Sequence, residues 1–250
     1  MYESVRVYPD GDATAARSAR TAARYGYDGV VVRERRVAPD YDAVRAGSAV
    51  DVVDAVEIVA DGPPSASGAV GNYRPKRTLV LVRGGTEALN RFAVEQDRVD
   101  VLATPFRGDG DVNHVLAKAA REHGVRIEFD LGPVVRESGG RRVQQLRKLR
   151  KLAELVDHYD APFVVSGTPA SHLQLRAPRE LRALGEVVGL GGDRIRDGLR
   201  EWGRIAARNR ERQSDAFVAP GVRTGRYAAG EEAERSGARA EGADEHRSDE

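Results

Sequence analysis

Residues 78–129 read TLVLVRGGTEALNRFAVEQDRVDVLATPFRGDGDVNHVLAKAAREHGVRIEF. Three short apolar runs, Thr78–Val82, Val99–Leu102 and Arg126–Phe129, are separated by two stretches with helical spacing, Glu87–Glu95 and Val112–His123. Brief apolar runs bounded by charge suit strands covered on both faces, and strands that alternate with helices build a parallel sheet. Asp109 or Asp111 is the candidate cap of the second helix, and Gly124 its stop.

The alternation continues outward in both directions. Ser4–Tyr8 reads as a strand followed by the turn Pro9–Asp10–Gly11, and Ala13–Tyr25 as a helix stopped by Gly26. Gly29–Val32 and Val53–Ala60 are two further strands, while Ser65–Arg77 fits either helix or loop. Beyond residue 129 come a long basic helix, the strand Pro162–Val165, and a helix Pro178–Val188 opened by proline. A last helix, Arg194–Arg208, takes Asp193 as its cap and buries Ile195, Leu199 and Trp202.

This α/β pattern predicts about seven parallel strands with outer helices. An open doubly wound sheet and a closed barrel both satisfy it. So many strands in so short a span, with no evident edge-strand sequence, favour a TIM-barrel-like fold over residues 1–210. From residue 211 to 250 the composition is low in complexity, and Gln213–Glu250 is expected to form a mostly disordered tail. The alternative is that Phe217–Tyr227 docks through its few large side chains.

The basic helix is the main clue to function. Leu146, Leu149, Leu152, Ala153 and Val156 share one sector, and Arg147, Lys148, Arg150 and Lys151 share the opposite side, with Arg141 at its edge. No acid interrupts the run from Arg141 to Lys151. A charge run is often just a solvated face. Like charges this close repel one another, however, and an anionic partner such as nucleic-acid phosphate relieves the repulsion.

Composition narrows the rest. The 250 residues contain no cysteine, which excludes disulfides and thiolate metal sites. There is no membrane-length apolar run and no signal-peptide layout at the start, so a soluble cytoplasmic protein is expected. The net charge of +1 conceals a tail, Glu231–Glu250, with eight acids against three arginines. Gly84–Gly85 and Gly139–Gly140 lack dinucleotide spacing and a P-loop lysine.

Barrel chemistry would sit at the C-terminal strand ends, where Asp10, Asp61, Glu128 and Asp130 allow a carboxylate pair. Of five histidines, His114, His123, His158, His172 and His246, only His172 falls at a strand end. These residues assign no catalytic site.

Three blocks carry a family resemblance: GGTEALNRFAVEQDRVDVLATP (Gly84–Pro105), NHVLAKAAREHGVRIEFDL (Asn113–Leu131), and GGRRVQQLRKLRKLAEL followed by APFVVSGTPASHLQLRAPREL within Gly139–Leu181. In order and spacing they resemble the ribonuclease P protein component 3 family, archaeal relatives of the 30-kilodalton eukaryotic RNase P subunit. The resemblance implies a TIM-barrel-like, PHP-like fold in the ribonucleoprotein that removes the 5′ leader from precursor tRNA. It implies catalysis by the RNase P RNA with divalent metal, such as Mg, held by that RNA, and no cofactor on this chain. It further implies pairing with ribonuclease P protein component 2 as a heterotetramer, alongside other RNase P proteins.

On that reading Arg141, Arg142, Arg147, Lys148, Arg150 and Lys151 are candidate RNA contacts, with Arg176 and Arg179 added. The bland reading of Arg179 is an ion pair with Glu180 or a neighbouring helix. The PHP metal phosphoesterases, to which the family is similar, carry a His-x-His pair on the first strand and commonly a His-Pro after the fifth. Here those places read Val5-Arg6-Val7 and Thr104-Pro105. Glu57, Glu128 and His172 would be vestiges of the remaining ligand positions. A stand-alone metal phosphoesterase using those three residues, and a purely protein-binding scaffold, remain the alternatives.

Overall fold

The computed structural model describes residues 1–214 and the backbone of two short strands beyond them. It divides into two compact units, Met1–Asn209 and Arg210–Glu250. In chain order the first unit runs β1 (Tyr2–Arg6), α1 (Ala15–Arg24), β2 (Gly29–Glu34), α2 (Tyr41–Ala46), β3 (Asp51–Ile58) and α3 (Pro63–Tyr73). It continues with β4 (Leu79–Arg83), α4 (Glu87–Val94), β5 (Val101–Ala103), α5 (His114–His123), β6 (Arg126–Asp130), α6 (Gly132–Arg136) and α7 (Gly139–Tyr159). It ends with β7 (Phe163–Ser166), a 3-10 turn His172–Gln174, α8 (Pro178–Val187) and α9 (Gly192–Gln213), whose last residues enter the second unit.

All seven strands are parallel and pair in sequence order, from Tyr2 against Gly29 to Asp130 against Ser166. β1 and β7 end the ladder, and the gap between them is nearly closed. Arg6 N–H donates to the Pro169 carbonyl at 2.9 Å, and Gly167 N–H to the Glu3 carboxylate at 2.9 Å. The result is a nearly closed TIM-like barrel.

Residue parity decides what fills it. Val31, Val53, Ala55, Leu79, Leu81, Val101, Ala103 and Val164 point inward and pack on Trp202, Ile205 and Ala206 of α9. The Trp202 indole N–H donates to the Val165 carbonyl at 2.9 Å, so the buried ring leaves no polar atom unpaired. Asn209 reaches the Thr78 carbonyl at 2.9 Å and Asp100 at 2.7 Å, both just ahead of their strands. α9 thus closes the N-terminal end of the barrel, and the opposite end is left open.

Local details correct several expectations. α5 is capped by Asn113, whose side chain accepts from Val115 and Leu116 N–H; Asp111 instead pairs with Lys151. β1 runs Tyr2–Arg6 rather than Ser4–Tyr8, and it ends early because the chain turns at Val7–Gly11, where Asp10 and Gly11 N–H donate to the Val7 carbonyl. The ambiguous segment after residue 62 is the helix α3, with its prolines in the first turn, where no N–H is needed. α9 starts at Gly192, which leaves Asp193 inside its first turn rather than at its cap.

In the second unit Phe217–Ala219 (β8) and Val222–Arg223 (β9) pair antiparallel. Apart from that strand pair, the disorder expected over residues 213–250 lies outside the described residues from 215 onward. So does side-chain docking by Phe217–Tyr227.

Candidate functional site

The inward parity that packs valine and leucine deep in the barrel brings charge to its open end. Arg6, Arg33, Glu57, Arg83, Glu128 and Asp130 occupy the inward rows near the C-terminal strand ends. Above them lies a cavity of about 360 Å³, lined in part by Arg6, Arg35, Arg83, Arg107, Thr104 and Asp130.

Each acid here is committed. Glu57 is buried; its Oε2 accepts from Arg35 Nε and Nη2 at 3.1 Å each, and its Oε1 from Arg83 Nε at 3.0 Å. Burial pushes the Glu57 carboxyl up, but Arg33, Arg6 and Arg35 more than offset that and hold it below the usual range. Glu128 is ion-paired to Arg33 and accepts from the Ser166 hydroxyl and from Thr104 N–H at 3.0 Å. Arg33, also fully buried, lies 5.7 Å from the Trp202 ring centroid. Asp130 accepts from the Thr168 hydroxyl at 2.6 Å and Gly132 N–H at 2.9 Å; burial, and then the Glu128 charge, raise its pKa.

The mouth is therefore dressed with cations that belong to the protein. A divalent ion needs carboxylate or imidazole lone pairs free to converge on it. Among the described residues no three His, Cys, Asp or Glu side chains are so placed. Glu57 and Glu128 do share the mouth, but His172 does not join them. It lies in the 3-10 turn after β7, where Nε2 accepts from Arg17 Nε at 3.1 Å.

α7 follows β6 and the short α6, and its apolar sector, Leu149, Leu152, Ala153 and Val156, is buried, with Leu146 half-buried. The basic residues on its other sides divide into three groups. Lys148 donates to the Phe106 carbonyl at 3.1 Å, and Lys151 pairs with Asp111 at 2.5 Å, both in the segment following β5. Arg150 turns the other way, with two bonds to the Val188 carbonyl at 3.0 and 3.2 Å. Arg142 donates to the Glu137 carbonyl at 2.7 Å, whereas Arg141 and Arg147 are exposed and have no side-chain partner among the described residues.

Carbonyls satisfy donors without cancelling charge, so of these six only Lys151 is neutralised. Arg176 donates to the Leu173 and Leu175 carbonyls at 3.4 and 3.1 Å. Arg179 is exposed and unpaired among the described residues. The ion pair with Glu180 does not form, because Glu180 accepts Ala177 N–H at 2.8 Å at the start of α8.

Sequence reading identified the strand-end positions but weighed only their acids and imidazoles. It missed Arg33, Arg35, Arg83 and Arg107 as a group. The available signal was an arginine ending an apolar run at inward parity, as in GVVVR and LVLVR.

The family model described as RNase P subunit p30 matches residues 1–214. Ribonuclease P protein component 3 of Halorubrum lacusprofundi is 60% identical over 237 residues, covering 91% of this chain and 98% of that protein. The protein of the same name from Methanococcoides burtonii is 37% identical over 191 residues, covering 76% and 79%. A chain in the cryo-EM structure of archaeal ribonuclease P with mature tRNA aligns with a TM-score of 0.75 at 24% identity. The alignment covers 87% of this chain and 95% of that one, a likeness of fold.

Proposed function

The chain belongs to the RNase P subunit p30 family, and from that membership we propose that it braces the RNA of ribonuclease P with phosphate-binding cations rather than catalytic groups. It is a protein subunit of ribonuclease P, a tRNA-processing endonuclease. In the proposed arrangement the RNA subunit, with bound divalent metal such as Mg, hydrolyses the phosphodiester at the 5′ leader of precursor tRNA. This chain pairs with component 2, two copies of each, beside the other RNase P proteins, and works in the cytoplasm. No described helix is long and apolar enough to cross a membrane.

The observation that carries the reading is the set of exposed, unneutralised guanidiniums at Arg141, Arg147 and Arg179, with Arg142, Lys148 and Arg150 held by neutral carbonyls. Such charges are poised to displace counterions from a polyanion. The arginine-dressed mouth supports a role without chemistry of its own, since its carboxylates are already spoken for.

The test is reconstitution of precursor-tRNA cleavage with this subunit omitted and then restored. Cleavage should fall on omission and recover on addition, while the purified chain alone should leave a generic phosphoester intact. Undiminished cleavage without the subunit would remove the reading, and hydrolysis by the lone chain would replace it.

A further inference from the structure

The barrel mouth holds more hydrogen-bond donors than the protein uses. Arg6 Nε is buried and makes no hydrogen bond; its ion-pair partner, Glu57 Oε2, is 3.7 Å away. Arg83 spends Nε on Glu57, and neither of its terminal nitrogens has a partner among the described residues. The Thr104 hydroxyl is buried and unpartnered, on a β-branched residue held at φ +45°, a conformation such residues rarely adopt. Arg107, exposed at the rim, has no side-chain partner among the described residues. All four residues line the one cavity.

The charge of the lining acids is partly offset from within the protein. Glu128 is paired with Arg33, and Asp130, facing the same space, has its pKa raised by burial and by Glu128. A buried donor without an acceptor costs stability, and two around one cavity, beside two guanidiniums with idle nitrogens, mark a place where an acceptor is missing. A tetrahedral oxyanion offers oxygens in several directions at once, as donors from β1, β4 and the segment after β5 require. The cavity is also larger than one oxyanion, and Pro105, Phe106, Pro133 and Leu149 give it an apolar wall suited to a sugar and base.

We propose that the barrel mouth is a receptor for the phosphate group of a nucleotide, a site separate from the cationic flank of α7. Arg6, Arg83 and Arg107 hold the oxygens, Thr104 donates its hydroxyl, and the apolar wall takes the nucleoside. The site requires no RNA subunit. Its phosphate belongs either to a free nucleotide or to a strand end or bend that reaches into the mouth.

The experiment is calorimetric titration of the full chain at constant ionic strength with inorganic phosphate, a ribonucleoside 5′-monophosphate, and a short single-stranded RNA lacking a terminal phosphate. The monophosphate should bind once per chain and saturate. Arg83→Gln and Arg107→Ala should each weaken it by about tenfold or more, while Arg141→Ala with Arg147→Ala should leave it unchanged. Competition by the unphosphorylated RNA would assign the site to phosphodiesters within a strand, and its absence to the terminal phosphate of a nucleotide or strand end. The Arg107 side chain is exposed and has no polar partner among the described residues, so its variant decides the matter even if Arg83→Gln unfolds. No saturable binding by any of the three probes, or wild-type affinity in folded Arg107→Ala, would overturn the proposal.

Discussion

Arg33 on β2 and Glu128 on β6 form an ion pair in which neither side chain is exposed to solvent. Removing one partner of such a pair leaves a buried charge uncompensated, at a cost of about 3–5 kcal/mol. Arg33→Met should therefore destabilise the barrel by that order in denaturant unfolding. Arg33→Met with Glu128→Gln should recover part of the loss, because the stranded carboxylate is gone. Additive losses in the double variant would show that the two groups do not act as a pair.

Glu3, on the outward face of β1, supplies a pH dependence. Its Oε1 accepts Gly167 N–H at 2.9 Å and Ser4 N–H at 3.0 Å, and its Oε2 meets the Tyr27 hydroxyl at 3.2 Å. That hydroxyl has one hydrogen and a closer acceptor, the Arg176 carbonyl at 2.8 Å. The Tyr27 hydroxyl therefore gives Glu3 only a shared, longer bond, too little to offset the burial of the carboxylate. Burial, the largest influence, accordingly raises the Glu3 pKa from 4.5 to about 7.

The sign follows from that rise. The folded state holds the proton to higher pH than the unfolded chain does, so the stabilisation is complete below about 4.5 and is lost as pH rises through about 7. Unfolding free energy measured against pH should carry this loss in the wild type, and Glu3→Gln should flatten it. Identical profiles for the two proteins would contradict the raised Glu3 pKa.

At the start of α5, Asn113→Ala should cost about 1 kcal/mol by removing the cap that satisfies Val115 and Leu116 N–H. Asp111→Ala breaks only a half-exposed bridge to Lys151 and should cost less than Asn113→Ala, in the range of surface pairs, about 0–1 kcal/mol. Chemical denaturation of the two variants side by side would settle which residue caps the helix.

The same pair of residues shows where sequence reading ends. Valine runs such as Val30–Val32 and Leu79–Val82 declare themselves as covered strands, and their alternation with helices predicts the parallel order. α2 escaped notice because none of its residues is buried, so it carries no apolar period. The wheel of α7 placed its charges correctly on the outside. It could not show that Lys148 and Arg150 diverge to carbonyls at Phe106 and Val188, which lie 42 and 38 residues away in sequence. The mouth was harder still, since Arg33 and Glu128 meet across 95 residues only once the sheet has curled.

Salt dependence gives the sharpest view of the proposed RNA contacts. Each arginine that neutralises a phosphate adds about 0.7–0.9 to the slope of log affinity against log salt. Binding of RNase P RNA by the full protein set, made with wild-type subunit or with Arg141→Ala, Arg147→Ala and Arg179→Ala combined, should show a slope shallower by about two to three in the variant. Weaker affinity at any one salt concentration should accompany it. An unchanged slope, with the variant folded and incorporated, would contradict the claim that this subunit braces the RNA through those exposed guanidiniums.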